Sequence, residues 1–177
     1  MRPRSSHLRH LVLAAMFAAL IYVSTCFVQI PNPASGGYVH PGDALCLLAA
    51  WLLPLPYGIA ASAIGTMLAD LLSGYTHYAL PSFIIKAIVP LVAGLLLRAL
   101  WNKKATFKST ILPCVISGVA GEIFMVGGYF FLNAVIWGSG WSAAVSLVPD
   151  SMQALFGIVA ATLLFCPLKK ITERMNF

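Results

Sequence analysis

Long apolar runs, separated by short polar or Gly/Pro-rich stretches, dominate the chain. Residues 11–30, 81–101, 110–133 and 149–168 each supply about the 20 mostly apolar positions a helix needs to cross the hydrocarbon of a bilayer. Residues 43–72 are too long for one ordinary span and short for two. Within them, Pro54-Leu55-Pro56-Tyr57-Gly58 places two prolines and a glycine where a helix would have to break. Folding back there predicts six spans, the second of them short. The expected fold is all-α: one integral-membrane domain over residues 1–177.

Composition agrees with that reading and charge orients it. The chain is 60% hydrophobic and 9% charged, where a soluble domain carries about 25% charged residues. With six spans, Arg2, Arg4, Arg9, Arg98, Lys103, Lys104, Lys108, Lys169, Lys170 and Arg174 all fall on one side. The loops on the other side hold no Lys or Arg. The positive-inside tendency makes the charged side cytoplasmic, together with both termini. A single span over 43–72 would send the cluster at 98–108 and the C-terminus outside. The net charge of +6 is thus a topology signal, since no basic stripe with interleaved aromatics suggests nucleic acid. The first apolar run exceeds the 7–15 residues of a signal-peptide core, so it reads as a retained span. Cys26, Cys46, Cys114 and Cys166 stand singly in apolar stretches, as small buried hydrophobes, with no metal-ligand spacing.

Against this apolar background a few ionisable side chains stand out: Asp43, Asp70, Lys86, Glu122 and Asp150. A charge at mid-bilayer costs about 2.5–3.5 kcal/mol on insertion scales, so such residues face a partner or a water-filled cavity. The topology puts all five at mid-depth or in the outer half, as one pocket open to the outside. Helical spacing adds polar stripes: Glu122, Tyr129 and Asn133; Asp150, Gln153 and Gly157; Ser82, Lys86 and Pro90; Ser62, Thr66 and Asp70. Asp70 and Lys86 are close enough in depth to neutralise each other, and Asp43 and Asp150 begin apolar helices, where each reads equally as an N-cap. Glu122 has no capping role and is the strongest single candidate for ligand contact. Trp137 and Trp141, which flank Gly138 and Gly140, read either as interfacial belt residues or as stacking groups for a flat ligand. The outer segments 31–42, 74–80 and 134–148, rich in Gly, Pro and aromatics, read as loops.

Small residues mark a second surface. In LAAMFAAL, Ala14/Ala18 and Ala15/Ala19 recur at i, i+4, a spacing that lets helix backbones approach closely in lipid. Ala61, Gly65 and Ala69 repeat it in the third helix, where internal packing is favoured. No phosphate-binding G-x-x-x-x-G-K-[ST] loop occurs and no histidine falls inside a span, so neither ATP hydrolysis by that route nor a nucleophile–base enzyme is indicated.

The segments LAAMFAAL, GYVHPGDALCLLAAWLLPLPYG, IGTMLADLLSGY, PSFIIKAIVPLVAGLL, GEIFMVGGYFFLNAV and VPDSMQALFG, in this order, resemble the substrate-binding S components of energy-coupling factor (ECF) vitamin transporters. The resemblance is nearest to the riboflavin, hydroxymethylpyrimidine and pyridoxine branch and covers nearly the whole chain. Asp150 stands where that branch has an Asn. The resemblance implies a multi-pass plasma-membrane protein of a prokaryote, without cofactor or metal, that captures a B-vitamin or precursor from outside. It implies delivery to a transmembrane coupling subunit driven by two ATP-binding subunits. By carry-over, Lys86, Glu122, Tyr129, Asn133 and Gln153 line the pocket, and Ala14, Ala15, Ala18 and Ala19 form the docking face. The alternative reading is a self-sufficient proton-coupled carrier titrating at Glu122 or Asp70, although no internal repeat of the kind common in such carriers is evident.

Overall fold

A computed structural model describes residues 4–32, 36–101 and 107–174. Among them six α-helices run in order: α1 (Arg4–Phe27), α2 (Gly42–Leu52), α3 (Leu55–Leu72), α4 (Thr76–Leu100), α5 (Phe107–Phe131) and α6 (Leu147–Arg174). Arg2, Lys103 and Lys104 of the cationic clusters lie outside the described residues. The outward surface is apolar: Leu11, Leu95, Ile123 and Leu163 are all exposed. This inverts the pattern of a soluble protein and suits lipid contact.

Five helical stretches are long and apolar enough to cross a membrane: Ser6–Phe27, Leu55–Leu72, Thr76–Leu100, Thr110–Ile136 and Gly140–Lys169. The sixth helix is not. At 1.5 Å per residue, the 11-residue α2 reaches only about 16 Å, roughly half of the hydrocarbon thickness. Its role is central instead. It packs on α1, α3, α4 and α6 and buries nine of its 11 residues, from Gly42 through Trp51. A helix enclosed on nearly every side is apolar almost all round, as α2 is apart from Asp43.

The break before α3 falls at Leu53–Pro54, as the Pro/Gly pattern predicts. A Cβ on Gly58 would lie 2.6 Å from the Ala49 carbonyl oxygen, so this hairpin closes only around a glycine. The α2 C-terminus is held by Arg98. Its guanidinium donates to the carbonyls of Leu53 (2.7 Å) and Ala50 (3.3 Å), satisfying acceptors that the α2 end leaves open, and to Gly94 (2.6 Å) one turn back in α4. Arg98 is therefore a structural residue as well as a member of the cationic cluster.

The supposed outer loops are more ordered than their composition suggests. The 31–42 segment contributes an antiparallel hairpin, β1 (Ile30–Asn32) with β2 (Gly37–Val39), pairing Pro31 with Tyr38. The fold is thus all-α apart from this ribbon. Most of 74–80 belongs to the first turns of α4, which starts at Thr76 rather than at Pro81. The 134–148 segment is a π-helical turn (Leu132–Ile136) and a 3-10 helix (Gly140–Ser146), joined by a short bend.

The core lies between α2, α4, α5 and α6, around Leu47, Trp51, Val89, Met125 and Phe165. Helix α1 is the least buried of the five long helices and packs mainly on α3. There a Cβ on Gly65 would sit 2.7 Å from the Ala18 carbonyl oxygen. The third-helix small residues thus pack internally, with Ala61 and Ala69 both buried.

Candidate ligand-binding site

The hairpin, the loop before α2, the ends of α1, α3 and α5, and the starts of α4 and α6 meet at one end of the bundle. Their side chains enclose a polar cavity of about 30 Å³, lined by Thr25, Tyr38, His40, Thr66, Asp70, Tyr78, Ser82, Met125, Tyr129, Asn133, Asp150 and Gln153. That volume admits about two waters. A vitamin-sized ring enters only if lining side chains move aside.

Beneath the cavity lies an ion pair. The Lys86 ammonium, from α4, donates to Asp43 Oδ1 at the start of α2, and both side chains are fully buried. Gln153 Nε2 donates to the other Asp43 oxygen (2.6 Å), and Gln153 Oε1 accepts the His40 backbone N–H (2.7 Å). One chain of bonds therefore joins α4, α2, α6 and the loop before α2. His40 extends it: its Nδ1 accepts the Gly42 N–H (3.1 Å) and lies 3.3 Å from Thr25 Oγ1 on α1. Because the Gly42 amide can only donate, the imidazole carries its proton on Nε2. Burial holds the His40 imidazole down to about 4, opposed by the nearby Asp43 carboxylate and reinforced by Lys86.

This geometry corrects the expected charge pairing. Lys86 is matched by Asp43, not by Asp70. Neither Asp43 nor Asp150 is an N-cap. Helix α2 is preceded by Pro41 with no side-chain cap bond, and Asp43 lies in its first turn, where the helix dipole favours a carboxylate. Helix α6 begins at Leu147, one turn ahead of Asp150.

Asp70, Tyr129, Asn133, Asp150 and Gln153 come together on the cavity wall. The Tyr38 hydroxyl donates to Asp70 Oδ1 (2.7 Å), whereas the buried Asp70 Oδ2 has no partner. Ser82 Oγ and the Tyr129 hydroxyl share a bond of 2.9 Å. Asn133, at the start of the π-helical turn, donates to the Tyr129 carbonyl (2.8 Å) and accepts from the Tyr78 hydroxyl (3.2 Å). Lys86 Nζ lies 5.7 Å from the centre of the Tyr129 ring.

Glu122 sits deeper than the wall, one turn along α5 from Met125. It is 2% exposed and neither carboxyl oxygen has a hydrogen-bond partner. An unmatched buried polar group costs about 1–3 kcal/mol, which a donor from a ligand would relieve. Trp137 packs edge-on against Tyr78 (4.4 Å between centroids) at the rim. Trp141 is 89% exposed and is not brought to the cavity.

Tyr38, His40, Tyr78 and Thr25 were not among the residues expected from sequence. GYVH carries a signal in retrospect, since Tyr38 and His40 alternate at the strand period. Tyr78, Ser82 and Lys86 lie at i, i+4 and i+8, visible only once α4 is extended back past Pro81. The alanine motif divides between two faces. Ala14 is buried and Ala18 half-buried, whereas Ala15 and Ala19 are exposed. All four line a shallow apolar groove between α1 and α3.

Comparison with known proteins places the chain. An uncharacterized protein of Pyrococcus woesei is 34% identical over 150 residues, covering 85% of this chain and 95% of that protein. A thiamine precursor transporter, HmpT, of Lactococcus lactis is 27% identical, over 97% of this chain and 94% of its own. The solved structure of the S component of a bacterial ECF transporter superposes with a TM-score of 0.70 at 21% identity, over 93% of this chain and 98% of that one, which establishes the fold. The family model for the S component of the ECF-type riboflavin transporter matches residues 5–170. A helical membrane bundle with a polar cavity at one end, matched to that family over nearly its full length, identifies the chain as a member of the ECF-type riboflavin transporter S-component family.

Proposed function

We propose that this protein is the substrate-capture subunit of an ATP-driven importer of a B-vitamin or vitamin precursor. It works with a separate transmembrane coupling subunit and two ATP-binding subunits. The observation that carries the reading is the polar cavity, walled by every helix end that meets the hairpin, inside an otherwise apolar bundle. The chain lies in the plasma membrane with six crossings, α2 making a partial one, and both termini are cytoplasmic. The clustering of Lys and Arg at the opposite end supports that orientation, with the cavity facing outside.

In this reading Asp70, Tyr129, Asn133 and Asp150 touch the ligand. Gln153, whose amide is engaged on both sides, holds the wall in place. Lys86 and Glu122 form the floor and Trp137 the rim. The exposed edge of the alanine motif, Ala15 and Ala19, faces the coupling subunit, while Ala14 and Ala18 seat α1 on α3. The likeness to a thiamine precursor transporter supports a nitrogen heterocycle as cargo.

Uptake by cells that express the chain with its coupling module tests this reading. Accumulation of the vitamin should collapse when ATP is depleted and persist when an uncoupler dissipates the proton gradient. Persistence without ATP, together with collapse under the uncoupler, would overturn it in favour of a proton-coupled carrier.

A further inference from the structure

The charges around the cavity do not balance. Lys86 is committed to Asp43, and the second Asp43 oxygen to Gln153, so this pair is neutral and closed on itself. Two further carboxyls line the cavity, Asp70 from α3 and Asp150 from α6, and among the described residues no Lys or Arg lines it. Asp70 is 5% exposed, and its Oδ2 is buried in the wall without a hydrogen-bond partner. His40 supplies no cation, because its Nδ1 accepts the Gly42 N–H. The other polar lining groups are neutral hydroxyls and amides. The rings of Tyr38, Tyr78 and Tyr129 give an aromatic ligand flat surfaces to rest on.

Such a cavity attracts a positive group and repels an anion, and the low-dielectric surroundings amplify both effects. Asp70 Oδ2 is already desolvated and Ser82 is the other side chain that assists the carboxyl, so a donor brought within hydrogen-bond distance adds a bond that Oδ2 lacks. We infer that the cavity selects a heteroaromatic ligand bearing a basic or amino nitrogen, seated on Asp70, and excludes the phosphate ester of the same compound. The inference rests on the substrate-capture reading of this cavity and adds the chemistry of the ligand.

The test uses the full chain in lipid nanodiscs at neutral pH, with affinity measured by calorimetry. The probes are riboflavin, pyridoxine, pyridoxamine and a hydroxymethyl aminopyrimidine, each alongside its phosphate ester. An amino-bearing probe should bind most tightly, and its ester at least roughly tenfold more weakly. Asp70→Asn retains an oxygen for the Tyr38 hydroxyl and should weaken the amino probe roughly tenfold to a hundredfold. An ester that binds as tightly as its parent, or an Asp70→Asn affinity equal to wild type, would overturn the inference. Tight binding of riboflavin, which has no amino group, would also overturn it while leaving the capture reading intact. Absence of binding by every probe, with no small molecule co-purifying, would overturn the capture reading itself.

Discussion

Lys86→Met is the substitution with the largest expected effect on stability. It removes the ammonium and leaves the Asp43 carboxylate fully buried, with the Gln153 amide as its remaining side-chain donor. Both partners are at 0% exposure, so solvent does not screen the pair. Breaking a buried ion pair by removing one partner costs about 3–5 kcal/mol, because an uncompensated charge stays behind. Asp43→Asn should cost about as much, since it strands the ammonium. The double variant is the informative one. Met and Asn together leave neither member of the pair charged, and Asn can still accept from Gln153 Nε2. Its stability should return to within about 1 kcal/mol of wild type. The assay is reversible unfolding in mixed micelles, run as a double-mutant cycle, with Asp70→Asn/Lys86→Met as the comparison. A coupling of several kcal/mol is expected for Asp43 with Lys86, and a clearly smaller one for Asp70 with Lys86. Additivity of the Asp43 and Lys86 substitutions within about 0.5 kcal/mol would refute the pairing.

Two further predictions concern the loop before α2 and the α1 face. His40 is neutral when folded, with its imidazole held down to about 4 against an ordinary 6.5. The unfolded chain therefore binds the extra proton first, and stability rises with pH between about 4 and 6.5. Up to about 3 kcal/mol is lost on acidification through that window. Thermal unfolding across pH should show this slope in wild type and lose it in His40→Asn, whose amide oxygen replaces Nδ1 as acceptor; an equal slope in both would assign the effect elsewhere. Ala15→Trp, on the exposed edge of α1, should leave vitamin binding in detergent unchanged and abolish uptake. Parallel loss of binding and uptake would remove this face from docking.

Much of the architecture was legible in the order of residues because the bilayer imposes simple rules on composition. Long apolar runs had to be helices, since lipid offers backbone groups no other partner. The Pro/Gly cluster at 54–58 had to break the second of those runs in two. Asp70, Tyr129, Asn133, Asp150 and Gln153 stood out because polar side chains are rare in such runs, and the structure gathers all five on one wall. Loop boundaries were less legible. Gly, aromatics and a proline near a helix start look alike in a loop and in a first helical turn, so Tyr78 was hidden ahead of Pro81.

Pairing was decided by tertiary structure alone. Depth along a span can be counted from sequence, but rotation about the helix axis and the order of helices around the bundle cannot. Counting placed Lys86 and Asp70 at similar depth; packing turned Lys86 toward α2 and Asp70 toward Tyr38 of the hairpin. The same rotation of α1 against Gly65 seats Ala14 and Ala18 on α3 and leaves Ala15 and Ala19 outward. Hydropathy determined that this chain lives in a membrane and which residues were out of place there. Only the packing of six helices decided which of those residues satisfy one another and which remain open to a ligand.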